Sequence, residues 1–377
     1  MTPLSLDLLD QLISFPTISD RPLTEMAALL AQRAEDYGFR TRLFETSPGK
    51  VNVISHRGPI DVNGLAFCGH MDVVPTEGQE WHSDPFKATR KGDLIIGRGV
   101  CDMKGFIAAA LSVAGEVKFK EDESLTLIWT HDEEIGCLGA EALKGQLKAA
   151  NISLPRSILI GEPTDMNICR MHGGHMTIDV EIRGESAHSS KPWLGQNAIL
   201  CASALISETR AIQKIIATKP CPHHEMSGAH GLINVAEIKG GQAVNIVPES
   251  CHFRLGVRPM PGEDPDWIFG EIKDRFAQIA KRQHCDIKVS RPQNAPPMIT
   301  ADNCALNQAL QQVLPSAKKI GVPFATDGGR LAEMGTEPII CGPGSIDVAH
   351  KPNESIAIQS LLKCEETLRM LIDNWRL

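Results

Sequence analysis

Four short apolar runs in this chain each lead into a carboxylate or an imidazole, and that repetition limits the fold more than any other feature. The segments are Phe67-Cys68-Gly69-His70-Met71-Asp72, Gly99-Val100-Cys101-Asp102-Met103-Lys104-Gly105, His131-Asp132-Glu133-Glu134-Ile135-Gly136 and Gly161-Glu162-Pro163-Thr164. A fifth, from Gly342-Pro343-Gly344 to Ala349-His350-Lys351-Pro352-Asn353-Glu354, adds a second histidine. Ligands of open α/β sheets bind outside the carboxyl ends of the strands, so polar residues that repeatedly follow apolar runs should converge on one cleft. The chain is therefore an enzyme candidate.

Around these segments the pattern alternates strand and helix. Strands are expected at 65–68, 125–130 and 157–160, with helices at 106–113 and 140–149, which predicts a mainly parallel sheet covered by helices. From about residue 175 the order becomes β-α-β-β-α-β, that of a ferredoxin-like unit, before the alternation of helix and buried strand resumes after Arg291-Pro292. The expected fold class is α/β: a discontinuous, mainly parallel-sheet catalytic domain at 1–174 and 292–377, with an inserted ferredoxin-like α+β domain at 175–291. A length of 377 residues also suggests two domains.

Composition excludes several classes. The net charge of −8 and the absence of a Lys/Arg cluster oppose nucleic-acid binding, which needs a basic surface. No apolar run approaches the roughly 20 residues that span a bilayer, and residues 1–7 lack the basic start of a signal peptide. The eleven cysteines include no Cys-x-x-Cys pair, as expected of buried thiols in a reducing cytoplasm.

Imidazole nitrogen and carboxylate oxygen suit Zn2+, and two such ions roughly 3.5–4 Å apart clamp the attacking and leaving oxygens of a hydrolysis. A paired centre needs a bridging ligand. Asp102, between Gly99 and Gly105, is the candidate; His70 is expected as a terminal ligand, with the Asp72 carboxylate fixing its tautomer. Side chains of the neighbours Glu133 and Glu134 diverge, so one can bind metal while the other takes a proton from water. Taken singly, each segment has an ordinary explanation as a turn or solvated loop; it is their joint occurrence that points to a metal centre.

Taken in order, these segments resemble the M20 family of co-catalytic zinc aminoacylases and peptidases over essentially the whole chain. His70-Met71-Asp72-Val73-Val74-Pro75 is similar to the family's His-x-Asp-Val-Val-Pro, and residues 97–105 to its Gly-Arg-Gly-x-x-Asp-Met-Lys-Gly. The resemblance implies metal 1 on His70, Asp102 and Glu162, metal 2 on Asp102, Glu134 and His350, and Glu133 as the general base. Two divalent ions are implied, Zn2+ with Co2+ as a substitute. The inserted domain would be a lid that also forms a homodimer, with His188 stabilising an oxyanion and Arg258 binding a substrate carboxylate.

Within the family, Gly136-Cys137-Leu138-Gly139-Ala140 and Asn245-Ile246-Val247-Pro248 are most similar to the acetylornithine deacetylase branch, which makes Asn245 a substrate-binding candidate. The implied reaction is hydrolysis of a small N-acyl amino acid in the cytoplasm. Succinyl-diaminopimelate desuccinylase, a dipeptidase or carboxypeptidase, and an inactive metal-bound module are the alternatives. Two segments depart from the pattern. Gly256 stands where an Asp commonly precedes the arginine by two positions, and Thr326-Asp327-Gly328 replaces Thr-Glu-Ala, so Asp327 is expected to meet the substrate side chain.

Overall fold

A computed structural model describes residues 4–59, 63–119, 123–219, 221–226, 228 and 230–375; part of the segment read above for a signal peptide, residues 1–3, lies outside them. The chain divides into two compact units. One comprises Met1–Met171, Thr300–Ile320 and Thr326–Leu377, the other His172–Ile299 and Gly321–Ala325.

Seven of the nine strands of the main sheet lie in the order Arg40–Ser47, Lys50–Arg57, Leu125–Thr130, Leu65–His70, Ser157–Pro163, Glu337–Gly342, Ile168–His172. The four from Leu125–Thr130 to Glu337–Gly342 are parallel, while the flanking pairings are antiparallel. The expected parallel strands thus form the centre of a mixed sheet. Its antiparallel edge is a hairpin whose strands are joined by Pro48-Gly49 alone, and so short a link permits no parallel return. The outer strand, Arg40–Ser47, exposes most of its side chains, which is why no apolar period announces it.

Every residue of Leu65–His70, Leu125–Thr130 and Ser157–Pro163 is buried, so both faces of the sheet centre are covered. Helix Lys104–Glu116 is buried all round from Lys104 to Ala114. It packs closely because Gly161 has no side chain: a Cβ there would run into the ring of Phe106. That contact sets the loop carrying Asp102 beside the strand carrying Glu162.

The small unit has its own core. Its strands lie in the order Leu232–Gly240, Ser250–Arg258, His175–Arg183, Asp286–Ala295, all antiparallel, with helices Ala198–Ile216 and Pro265–Arg282 packed on one face. Met176, Ile178, Val180 and Ile182 alternate with Thr177, Asp179 and Glu181, so the first set meets the helices, joined by Phe253 and Phe276 in edge-on contact at 5.9 Å. Asn197 caps the first helix by accepting from the backbone N–H groups of Ile199 and Leu200. Element order and strand order are those of a ferredoxin-like unit. Among the described residues no helix is long and apolar enough to cross a membrane.

Candidate metal centre

The candidate ligands of the large unit stand where strands end. His70 closes Leu65–His70, Glu162 is the penultimate residue of Ser157–Pro163, and Glu133 and Glu134 follow Leu125–Thr130. Parallel neighbours place these ends side by side. Asp102 arrives on the loop before Lys104–Glu116. Gly99 in that loop has φ +81°, and a Cβ there would sit 2.7 Å from Val73, so glycine is required. Buried Glu354 clamps the loop: one oxygen accepts from the N–H groups of Cys101 (2.8 Å) and Asp102 (3.1 Å), the other from Gly99 (3.0 Å) and Arg98 Nη1 (2.8 Å).

Asp102 faces two ways. Its Oδ1 lies 2.9 Å from His70 Nε2 and its Oδ2 3.3 Å from His350 Nε2. Glu162 Oε1 stands 3.9 Å from the same nitrogen of His70, and Glu134 Oε2 3.0 Å from that of His350. One carboxylate therefore joins two clusters, His70/Asp102/Glu162 and Asp102/Glu134/His350. Ligand atoms of His70, Glu133 and Glu162 also lie within 4.8 Å of one another, so Glu133 borders the first cluster.

The charges do not balance within the protein. Burial pushes the carboxyls of Glu133 and Glu162 well above the usual range, and burial with the neighbouring charge of Asp102 lifts Glu134 to about 7. Burial would raise Asp102 too, but hydrogen bonds from His350 and His70 hold it below its ordinary value. Bonds to Asp102 and Glu134 push His350 up to about 10. The acids outnumber the two imidazoles, and buried carboxylates need cations or protons. A pair of divalent ions fits this imidazole and carboxylate donor set.

A family model described as peptidase family M20/M25/M40 matches residues 66–374. The chain belongs to that family. Acetylornithine deacetylase of Myxococcus xanthus is 29% identical over 369 residues, covering 96% of this chain and 94% of the relative. An M20 metallo-carboxypeptidase from Sulfolobus solfataricus superposes with a TM-score of 0.79 at 20% identity, covering 98% of this chain and 99% of the other. A dinuclear metal-binding M20 peptidase from Bacillus subtilis gives 0.70 at 14% identity, over 98% and 96%. At such identities the two structures establish the M20 fold alone.

Two expected roles change. The Asp72 carboxylate was expected to fix His70, yet His70 Nδ1 meets the backbone oxygen of Asp72 at 2.9 Å and its carboxylate only at 3.7 Å. That carboxylate instead accepts from the N–H groups of Glu133 (3.0 Å) and Glu134 (3.3 Å) and from Ser19 Oγ (2.8 Å). It aims the two glutamates through their backbone. Asp327 was expected to meet a substrate side chain, but it is 2% exposed and accepts from Thr130 Oγ1 at 2.5 Å. Burial lifts it to about 6, and one of its oxygens lies within 4.8 Å of a Glu133 oxygen and of Cys137 Sγ. It backs the site of this M20 chain and offers no surface to a side chain.

The small unit carries the other candidates. His188 is exposed, and its Nδ1 accepts from the N–H (3.1 Å) and hydroxyl (2.8 Å) of Ser190. A backbone N–H can only donate, so the ring proton sits on Nε2, which is left as an outward donor. Asn245 is exposed and its backbone oxygen accepts from Ser189 N–H at 3.0 Å. Arg258 is exposed at the end of Ser250–Arg258. The sequence reading missed the parts played by Ser19, Arg98, Thr130 and Cys137, whose Sγ lies 3.5 Å from Glu133 Oε1. Arg98 had a signal in the glycine-flanked Gly97-Arg98-Gly99, and Cys137 one in Gly136-Cys137-Leu138-Gly139-Ala140.

Proposed function

We propose that the protein is a two-metal amidohydrolase that deacylates a small N-acyl amino acid, with N2-acetyl-L-ornithine as substrate and L-ornithine and acetate as products. The observation that carries this reading is the two-faced Asp102 between His70/Glu162 and His350/Glu134, with Glu133 beside it and held by Asp72. His70, Asp102, Glu134, Glu162 and His350 would hold two Zn2+ ions, for which Co2+ can substitute. When bound, the ions supply Lewis acidity and an acidified water.

The protein's own groups do the rest. Glu133 takes the proton of the attacking water and passes it to the leaving amine, from a carboxylate aimed by the Asp72 bond to its N–H. His188 Nε2–H is the donor for the oxyanion of the tetrahedral species. The exposed guanidinium of Arg258 accepts one α-carboxylate bidentately. The resemblance of residues 136–140 and 245–248, together with the Myxococcus relative, supports acetylornithine as the substrate.

The exposed residues of the small unit support a homodimer. Trp193 (74% exposed), Leu194 and Leu200 are large apolar groups left in solvent, and Leu232–Gly240 is an edge strand. Sedimentation should show two chains. If His188 serves the partner's site, mixing inactive His188→Ala with inactive Glu133→Gln chains restores activity after exchange; no recovery places His188 in its own chain's site or outside catalysis.

The substrate test is a panel. kcat/KM for N2-acetyl-L-ornithine should exceed that for N-succinyl-diaminopimelate by at least about 100-fold, or roughly 2.7 kcal/mol, because no second arginine-rich segment is present to receive further carboxylates. Equal or reversed activity removes the acetylornithine assignment and leaves the metallohydrolase.

A further inference from the structure

The helix-free face of the small unit's sheet can be followed rung by rung. Strands Ser250–Arg258 and His175–Arg183 pair with His252 opposite Glu181, Arg254 opposite Asp179 and Gly256 opposite Thr177. Gly174 N–H donates to Pro259 oxygen at 2.7 Å, which carries the ladder one rung past Val257/Met176 and sets Arg258 opposite His175. Directly opposed residues share a face, with Cβ atoms about 4.5–5.5 Å apart.

Most ionic groups on this face have a counter-ion. Arg254 Nε lies 2.7 Å from Asp179, with Glu237 at 3.5 Å from its Nη1, and Lys288 lies 3.3 Å from Glu181. The last rung is different. Among the described residues neither Arg258 nor His175 has a carboxylate or a side-chain hydrogen-bond partner, although the charge of Arg258 reaches His175. The neighbouring rung, where an acid would neutralise the arginine, is Gly256, and a Cβ built there meets nothing within 4 Å. A cation, a second potential donor and a vacant shelf lie together.

We infer that His175 is a specificity-determining partner of Arg258, the two forming a clamp for a single carboxylate, and that glycine at 256 keeps this clamp from being filled by the protein's own acid. This rests on the proposal that Arg258 reads the substrate carboxylate. Burial and the nearby guanidinium lower His175 to about 4, so at neutral pH it serves through a ring N–H beside the fixed charge of Arg258.

The test compares N2-acetyl-L-ornithine with its α-carboxamide in the zinc-loaded enzyme. Arg258→Ala should abolish the preference for the acid. His175→Ala should raise KM for the acid about tenfold with kcat held within about twofold and leave the carboxamide unchanged. His175→Gln, which keeps an N–H, should recover most of the loss. Gly256→Asp should raise KM for the acid by a similar factor. Equal effects of His175→Ala on both ligands, or none, overturn the inference while Arg258→Ala still upholds the carboxylate reading. A preference that survives Arg258→Ala overturns both.

Discussion

In the large unit His70 and Glu162 are buried at the ends of strands with no exposed residue and Asp102 is buried on the loop before Lys104–Glu116, whereas in the small unit His188 and Arg258 stand exposed on the sheet and its loops. Buried acids cannot keep their charge unaided, and the lifted carboxyls of Glu134 and Glu162 record the cost. Exposed groups remain hydrated and bear little of it. The first region is therefore incomplete without cations, and substitutions there should change metal content or chemistry. Changes in the second should leave the metals in place and act on substrate.

The most severe way to probe this contrast is Asp102→Ala. Loss of the shared carboxylate should lower bound metal below two per chain and remove nearly all activity; two tightly held ions by elemental analysis would refute the bridge. His188→Ala should instead retain both metals while kcat falls about 10²–10³-fold, the usual effect of one oxyanion donor. Wild-type kcat would take His188 out of the reaction. Glu354→Gln loosens the loop beneath Asp102 and should weaken metal binding or activity about 10–100-fold, measured by competition with a chelator. Unchanged affinity would make the Glu354 clamp dispensable.

The smallest effect concerns Asp327. Its folded carboxyl titrates near 6 against an ordinary 3.8, so the native state binds the extra proton and stability declines as pH rises through that window. Asp327→Asn lacks this slope. In metal-free protein its stability relative to wild type should improve by about 2 kcal/mol between pH 4.5 and 7.5, followed by chemical denaturation. A pH-independent difference would mean that Asp327 is ionised throughout.

The contrast also explains what was legible beforehand. Candidate site residues at strand ends could be read because an apolar run marks each strand, and His70, Glu133, Glu134 and Glu162 all stand at or just past one. The hairpin Arg40–Arg57 could not, since its outer strand lies largely in solvent and carries little apolar period. Supporting roles depend on three-dimensional approach. Glu354 reaches the 99–102 backbone from some 250 residues away, and the Asp72 carboxylate serves backbone groups about 60 residues on instead of the nearby imidazole. Asp327 follows Thr326 in a polar, glycine-rich stretch that reads as exposed, yet it is buried against Thr130. The rung of His175 and Arg258, unpaired among the described residues, exists only in the strand register.

In the proposed reaction adjacent glutamates divide the labour, Glu134 holding metal and Glu133 moving the proton. Metal content and kcat of Glu133→Gln, determined on the same preparation, test it most directly. Two ions per chain with kcat reduced about 10²–10⁴-fold are expected; wild-type turnover, or the loss of one ion, would contradict this division of roles.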